Sequence, residues 1–337
     1  MTERDPDSFA FDWPADNPGL NKPESNDVLA ALSRADAESK RSISPTLVYG
    51  LSDLAPKEWQ KVHAAWRCLE AASKRRILRM LNESSEALFE LNYRELGLNS
   101  LDDESAMVRE AAIELLWTDE SEDTMRQFIR LAAQDPSSSV RTCAIKALGR
   151  FILLGEFGDV SEELAKEAQQ LALRLHTNSS ESLETRRRAL ESLANSSHPL
   201  VPDLISKAYA DGNHDLKISA IFAMGRSCSG VWQEILLQEL ESHDNEAVYE
   251  AVSACGHIQL EDSVVRIGEL ALSNDREIQL TAIWALGEIG GSRAFEILSR
   301  LEEVVEDKET ASILEEALDT AGFRRSFAAL DLRLDEE

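Results

Sequence analysis

Positive charge is what this 337-residue chain is shortest of: 35 Lys and Arg stand against 62 Asp and Glu, a formal net charge of −27. Such a surface repels phosphate backbones, which disfavours nucleic acid as the main ligand and points to basic proteins, basic peptides or cations. Aromatics are few, at 6%, and β-branched runs bounded by turn residues are nearly missing, while Leu and Ala dominate; helices are expected rather than strands. No stretch of about 18 uninterrupted apolar residues occurs, so no membrane span is expected. The opening MTERDPDSFAFDW has neither a basic start nor an apolar run, which argues against a secretory leader. Cys68, Cys143, Cys228 and Cys255 form no C-x-x-C pair, and a reducing cytoplasm is the expected location. Catalytic signatures are wanting too: there is no Gly-rich phosphate loop, no G-x-S-x-G elbow and no H-E-x-x-H helix.

What the chain does have is a repeat. The decapeptide IQLTAIWALG, ending at Gly287, returns as VRTCAIKALG ending at Gly149, LKISAIFAMG ending at Gly225 and AVYEAVSACG ending at Gly256. Weaker copies end at Trp117, Ala194 and Gly322, and the steps between closing residues are 32, 45, 31, 31, 31 and 35. A period near 31 suits two helices and two tight turns, and the long step carries an insertion around FILLGEFGDVSEEL. One such hairpin cannot bury its apolar face alone, so neighbours must stack into a continuous array. Around the array the chain divides into an acidic, mostly flexible segment 1–53, capping helices over 54–101, the repeats at 102–323 and a tail at 324–337. Within 1–53, Phe9, Phe11 and Trp13 form an aromatic cluster suited to docking, and Asp27 to Ser33 suits a short helix. Lys74, Arg75, Arg76 and Arg79 make the densest basic cluster, either a solvated helix face or a counter-surface for the acidic segment.

The turns before the repeated helices carry Asp103, Asp135, Asp211 and Asp275, good helix starters. The first three stand six residues before Arg109, Arg141 and Lys217. This Asp-turn-Val-Arg arrangement, closed by Ala-Leu-Gly, resembles HEAT repeats, and in particular the short HEAT-like type of the phycobilisome lyases. The resemblance covers about Asp103 to Phe323. It implies an all-α fold, an α-α superhelix (α-solenoid) of stacked helical hairpins, and a binding scaffold whose second helices line the concave side. Val248 and Gln279 depart from the pattern at the basic position, so an Asp–Arg ladder should weaken towards the C-terminus.

Counting back from each closing residue separates scaffold from surface. Five before it stands Ala every time, from Ala112 to Ala317, and four before it always an aliphatic residue, from Ile113 to Leu318; both are expected core. Seven and three before it lie on one helical face. The early units place polar residues there, such as Glu110 with Glu114 and Arg187 with Glu191, but the later ones place Ile218 and Phe222, Tyr249 and Ser253, Leu280 and Trp284. These six form either a stripe that binds a partner or ordinary core. Glu246, Glu250, Asp244 and Glu277 would rim such a stripe with negative charge, so an amphipathic basic helix or peptide is the fitting ligand. Arg186 to Arg188 with Arg141, Lys146 and Arg150 would make a local basic patch or pair with neighbouring acids.

The expectation for function is therefore a non-catalytic, monomeric interaction scaffold in the cytoplasm, with no catalytic residue, cofactor or metal. Two enzyme readings come with the resemblance. One is a phycobilin-lyase-like enzyme or partner chaperone, for which no local residue speaks. The other is a di-iron hydroxylase of the deoxyhypusine type, whose His-Glu ligand pairs are matched here only by His214–Asp215 and His243–Asp244 at unequal offsets.

Overall fold

The computed structural model describes residues 22–37, 43–88, 90–303, 305 and 307–334. Every regular element among them is helical, and the helices gather into two compact units, 1–171 and 172–337. The boundary between them falls within the insertion-bearing step of 45 residues. Among the described residues no helix is long and apolar enough to cross a membrane. Phe9, Phe11 and Trp13 lie outside the described residues.

The first unit starts with α1 (Ser25–Ala37), α2 (Pro45–Gly50) and α3 (Pro56–Cys68). Segment 1–53, expected to be mostly flexible, therefore contains two helices. The reason is a short apolar stripe, Val28, Ala31 and Leu32 on α1 with Leu47 and Val48 on α2, that buries almost completely. Two long-range bonds tie it down: Tyr93 Oη donates to the Val48 carbonyl at 3.0 Å, and Arg76 donates to the carbonyl of Ala35. Arg76 thus does act as a counter-surface for this segment. Then come α4 (Ala71–Ala87), α5 (Arg94–Ser100), α6 (Ala106–Leu115), α7 (Glu122–Gln134), α8 (Ser138–Phe157) and α9 (Glu162–Thr177), which runs on into the second unit. Helices α4, α6 and α8 pack one on the next, and α7 closes against α8, with Phe128 and Phe151 edge to face at 6.0 Å.

The second unit continues with α10 (Leu183–Leu193), α11 (Val201–Ala210), α12 (His214–Arg226), α13 (Gln233–Glu239), α14 (Asn245–His257), α15 (Val264–Leu270), α16 (Arg276–Ile289), α17 (Gly291–Glu302) and α18 (Lys308–Leu334). The expected tail from 324 is the end of α18. Helices α10, α12, α14, α16 and α18 form a file in which each packs on its predecessor, and α11, α13, α15 and α17 each pack on the helix that follows. Each unit is a stack of helical hairpins, all-α and of the solenoid class.

The decapeptide explains the stacking distance. Its closing glycines face the following helix so closely that a Cβ at Gly225 would stand 2.7 Å from the Ala254 Cα. At Gly256 it would stand 3.1 Å from the Ala285 Cα, and at Gly287 2.9 Å from the Ala317 Cα. The tightest approach is therefore made by the closing Gly against a small residue of the next helix. The alanines five before the close, Ala112, Ala144, Ala189, Ala220, Ala251, Ala282 and Ala317, are all buried, as are the aliphatics from Ile113 to Ile283. Leu318 departs from this series and is half-buried, because α18 is the last helix of the file and no further helix covers it.

A polar spine sets the register of the hairpins. In the first unit Lys74 Nζ donates to Asp103 at 2.7 Å, and Arg109 clasps Asp135 with two bonds of 2.8 and 2.7 Å. Arg109 also reaches the Asp103 carbonyl at 2.8 Å, and Arg141 the Asp135 carbonyl at 2.9 Å, which accounts for the six-residue spacing. The helix-starter role expected of Asp103 and Asp135 is different in fact: each accepts the backbone N–H two residues on, from Ser105 and Ser137 at 2.9 Å, and those serines stand at the N-caps. Asp211 ends α11, and Asn213 caps α12. In the second unit the spine keeps its acceptor but changes its donor. His214, Asn245 and Arg276, each the first residue of its helix, bond Asp244, Asp275 and Asp307 at 2.7, 2.9 and 2.8 Å. Asp244 and Asp275 meanwhile cap their own helices, and Asp307 accepts the Thr310 N–H at 2.9 Å. The expected weakening towards the C-terminus is a move into solvent: the Arg109–Asp135 side chains are 10% and 3% exposed, those of Arg276 and Asp307 40% and 55%.

Candidate functional site

On the file α10–α12–α14–α16, residues at equal offsets from the closing position fall on equivalent faces of successive helices. The six predicted partner-binding residues do not share one fate there. Ile218 is 4% exposed and belongs to the core, which leaves it no surface for a partner; the binding role is withdrawn for it. Phe222, Tyr249, Ser253, Leu280 and Trp284 are half-buried: each rests on the scaffold and keeps one side towards water. Trp284 shows how. Its ring lies over Gly256, where an added Cβ would come 2.8 Å from Cζ3, and the His257 ring meets it edge to face at 5.1 Å. The glycine that lets two helices approach thus also seats the indole. Burial, and then the charge of Arg226, lower the pKa of His257, which keeps it neutral against the ring.

Next to this apolar row, at the α10 end, lies an ionic network, the second of the two arrangements open to Arg186, Arg187 and Arg188. Arg187 Nε donates to Ser219 Oγ at 2.9 Å, and Ser219 Oγ donates to Glu191 Oε1 at 2.6 Å. Arg188 bridges Glu184 and Glu191, both at 2.8 Å. Arg186 instead donates to the His176 carbonyl at 3.1 Å. In the first unit Arg150 lies over the Trp117 and Phe151 rings and donates to the Asp119 carbonyl at 2.7 Å. The arginines are paired and build no free basic patch.

Glu250 is the residue whose role the sequence understated. Expected on the rim, it is half-buried on α14 next to Tyr249. Burial, reinforced by the like charges of Glu191 and Glu246, pushes its carboxyl up to about 7 against the pull of Arg188 and Arg187. The signal was available one residue after the polar-to-apolar switch: the position six before the close reads Arg188, Ser219, Glu250 and Thr281. Glu246 and Glu277 are exposed as expected. The face thus offers half-covered rings flanked by a carboxylate under repulsion, which a cation would relieve.

One residue from each His-Asp pair, His214 and Asp244, meets the other. His214 Nε2 bonds Asp244 at 2.7 Å in the spine, and that bond raises the imidazole pKa. Among the described residues no three His, Cys, Asp or Glu gather as a metal would require.

A family model described as HEAT repeats matches residues 96–166 and 234–331, half of the chain. No curated protein matches. Among solved structures, YibA of Escherichia coli is similar at 16% identity over 85% of this chain and 99% of that one, with a TM-score of 0.45. The complex of CpcE and CpcF of phycocyanin lyase from Nostoc sp. PCC7120 is similar at 15% identity over 93% and 100%, with a TM-score of 0.46. Human deoxyhypusine hydroxylase is similar at 12% identity over 89% and 97%, with a TM-score of 0.35.

Proposed function

The chain belongs to the HEAT-repeat family, and from that premise we propose that it is a non-catalytic, cytoplasmic scaffold that binds a basic amphipathic peptide or helix of a partner protein on the second-helix face of its second unit. The observation that supports this is the row Phe222, Tyr249, Ser253, Leu280 and Trp284, each partly open to water, alongside the repelled carboxylate of Glu250. Partly exposed aromatics supply anchors whose full burial is worth about 1.5–3 kcal/mol each, and a partner's Lys or Arg supplies positive charge next to Glu250. Ionic attraction steers such a partner to a chain of net charge −27.

The test is fluorescence anisotropy of a labelled Leu/Lys amphipathic helix titrated with the full chain, compared with Phe222→Ala/Trp284→Ala and with Glu246→Lys/Glu277→Lys. Both variants should bind at least about tenfold more weakly with far-UV circular dichroism unchanged. Undiminished binding by both would refute the assignment, and loss of helicity in the aromatic variant would place the two rings in the core.

A further inference from the structure

The first unit contains a cavity of about 330 Å³ that the face above does not use, bounded by α1, the start of α2 and α4. In a chain with 62 acidic side chains against 35 basic ones, its described lining carries two guanidiniums, Arg34 and Arg76, and no carboxylate. Neither cation meets an acid among the described residues. Arg34 donates to the Ala30 carbonyl of its own helix at 3.2 Å, and Arg76 to the carbonyl of Ala35. Arg34 is exposed and Arg76 half-buried, so both can be reached from water. Ile43, Leu47, Ile77 and Met80, all buried, close the floor. What stays open to a ligand is chiefly the two guanidiniums, which bond carboxylates through their forks and stack on aromatic rings through their faces.

The chain itself supplies a segment of that make-up. Residues 1–21 carry five carboxylates, Glu3, Asp5, Asp7, Asp12 and Asp16, against one basic side chain, Arg4, and three rings, Phe9, Phe11 and Trp13, among the acids. We propose that this segment docks on the cavity of its own chain, Asp7 and Asp12 bonding the guanidiniums of Arg34 and Arg76 and a ring stacking on one of them. The described chain begins in the right place. Lys22 is fixed at the start of α3 by bonds to the Asp53 carbonyl at 2.9 Å and to Glu58 at 2.8 Å. From Lys22 to the far end of the cavity at Ala35 is at most about 25 Å, three extended residues and then the rise of α1 from Ser25. The stretch from Trp13 to Lys22 spans up to about 30 Å, so the rings and Asp12 reach the cavity with slack. Tethering favours the chain's own segment over that of a second copy, because it sets an effective concentration of order mM. The net charge of −27 also makes two copies repel each other.

Chymotrypsin tests it, because it cleaves after Phe9 and Phe11 and the rate reads how often the segment is undocked. The full chain is compared, by mass spectrometry, with a synthetic peptide of residues 1–21. Cleavage in the chain should be at least about tenfold slower than in the peptide, and equally slow at about 1 and about 100 µM chain. Arg34→Gln/Arg76→Gln should bring the rate to within about twofold of the peptide's, with far-UV circular dichroism unchanged. Should that variant lose helicity, Asp7→Lys/Asp12→Lys, which alters no residue of the helices, still decides: it should release the segment to the same degree. Cleavage of the native chain at the peptide's rate would overturn the proposal, as would protection that either folded variant retains in full. Protection that grows with concentration would overturn it too, by assigning the docked segment to a second copy.

Discussion

Replacing Gly225 by Ala pits two magnitudes against each other. In a helix interior the change should stabilise, by about 1 kcal/mol, because Ala gives up less backbone entropy than Gly. Here, however, the new Cβ would stand 2.7 Å from the Ala254 Cα and 2.9 Å from its Cβ, against a carbon–carbon optimum of about 3.5–4.0 Å. Helices α12 and α14 would have to part by about 1 Å along their contact. Overpacking a fitted core costs about 1–3 kcal/mol, and α14 cannot retreat freely, since Gly256 holds it close to α16, where an added Cβ would stand 3.1 Å from the Ala285 Cα. Set against the gain, the net expectation is a loss of up to about 2 kcal/mol, read as a fall of up to about 8 °C in the melting temperature by circular dichroism. Ala254→Gly in the same background should restore little, because the nearer obstacle is backbone and remains. A Gly225→Ala protein more stable than the native one, as an unobstructed helix interior would make it, would refute the account of the stacking distance.

Other outcomes follow from the ionisable groups. Glu250 has a folded pKa raised to about 7, so its contribution to stability is complete below its unfolded value and is lost as pH rises through about 7. Glu250→Gln should therefore gain on the order of 1–3 kcal/mol in urea denaturation at pH 8 and much less at pH 5; equal gains at both would sink that assignment. On the proposed function, a basic helix should bind more tightly at pH 8 than at pH 6, because the ionised Glu250 is the form a cation stabilises, and the reverse order would count against it. Asp135→Ala, which strands the buried Arg109, should cost about 3–5 kcal/mol, whereas Asp307→Ala at the exposed end of the spine should cost far less; similar losses in urea titrations would refute the buried-to-exposed gradient. In the native state a thiol reagent should label Cys68 and Cys228, both exposed, but not Cys143 or Cys255, whose thiols burial pushes up to about 12; fast labelling of Cys255 would mean that the α14 core opens readily.

The fold was legible because packing repeats itself. Seven closing residues and the alanines five before them located the second helices, and stacking them required no further information. What the sequence obscured was which polar atom meets which. An Asp in a turn reads as an N-cap, yet Asp103 and Asp135 place their carboxylates on the turn before it, because a cation from the preceding hairpin fixes their position. That pairing joins residues 26 to 31 apart and is invisible to local spacing. Helix α1 was legible over Asp27 to Ser33, but α2 was missed because a stripe of a few apolar residues in an acidic stretch is too short to signal itself. Of the candidate face, the offsets identified the residues, but the degree of cover did not follow from them: Ile218 and Leu280 share an offset, and only Ile218 is buried. Glu250 escaped for a similar reason, since its raised pKa comes from its burial and then from charges that include Glu191 on a helix two places away.

The donor-to-cap spine makes the second unit extensible. Residues 245–275 begin with the donor Asn245 and end with the acceptor Asp275, so a duplicate spliced in after position 275 would be capped at its start and would bond its own terminal aspartate. Gly256 of the original would then rest on Ala254 of the copy, a contact whose geometry Gly225 already demonstrates. Length is thereby a parameter this architecture can change by tandem duplication without redesigning a single junction.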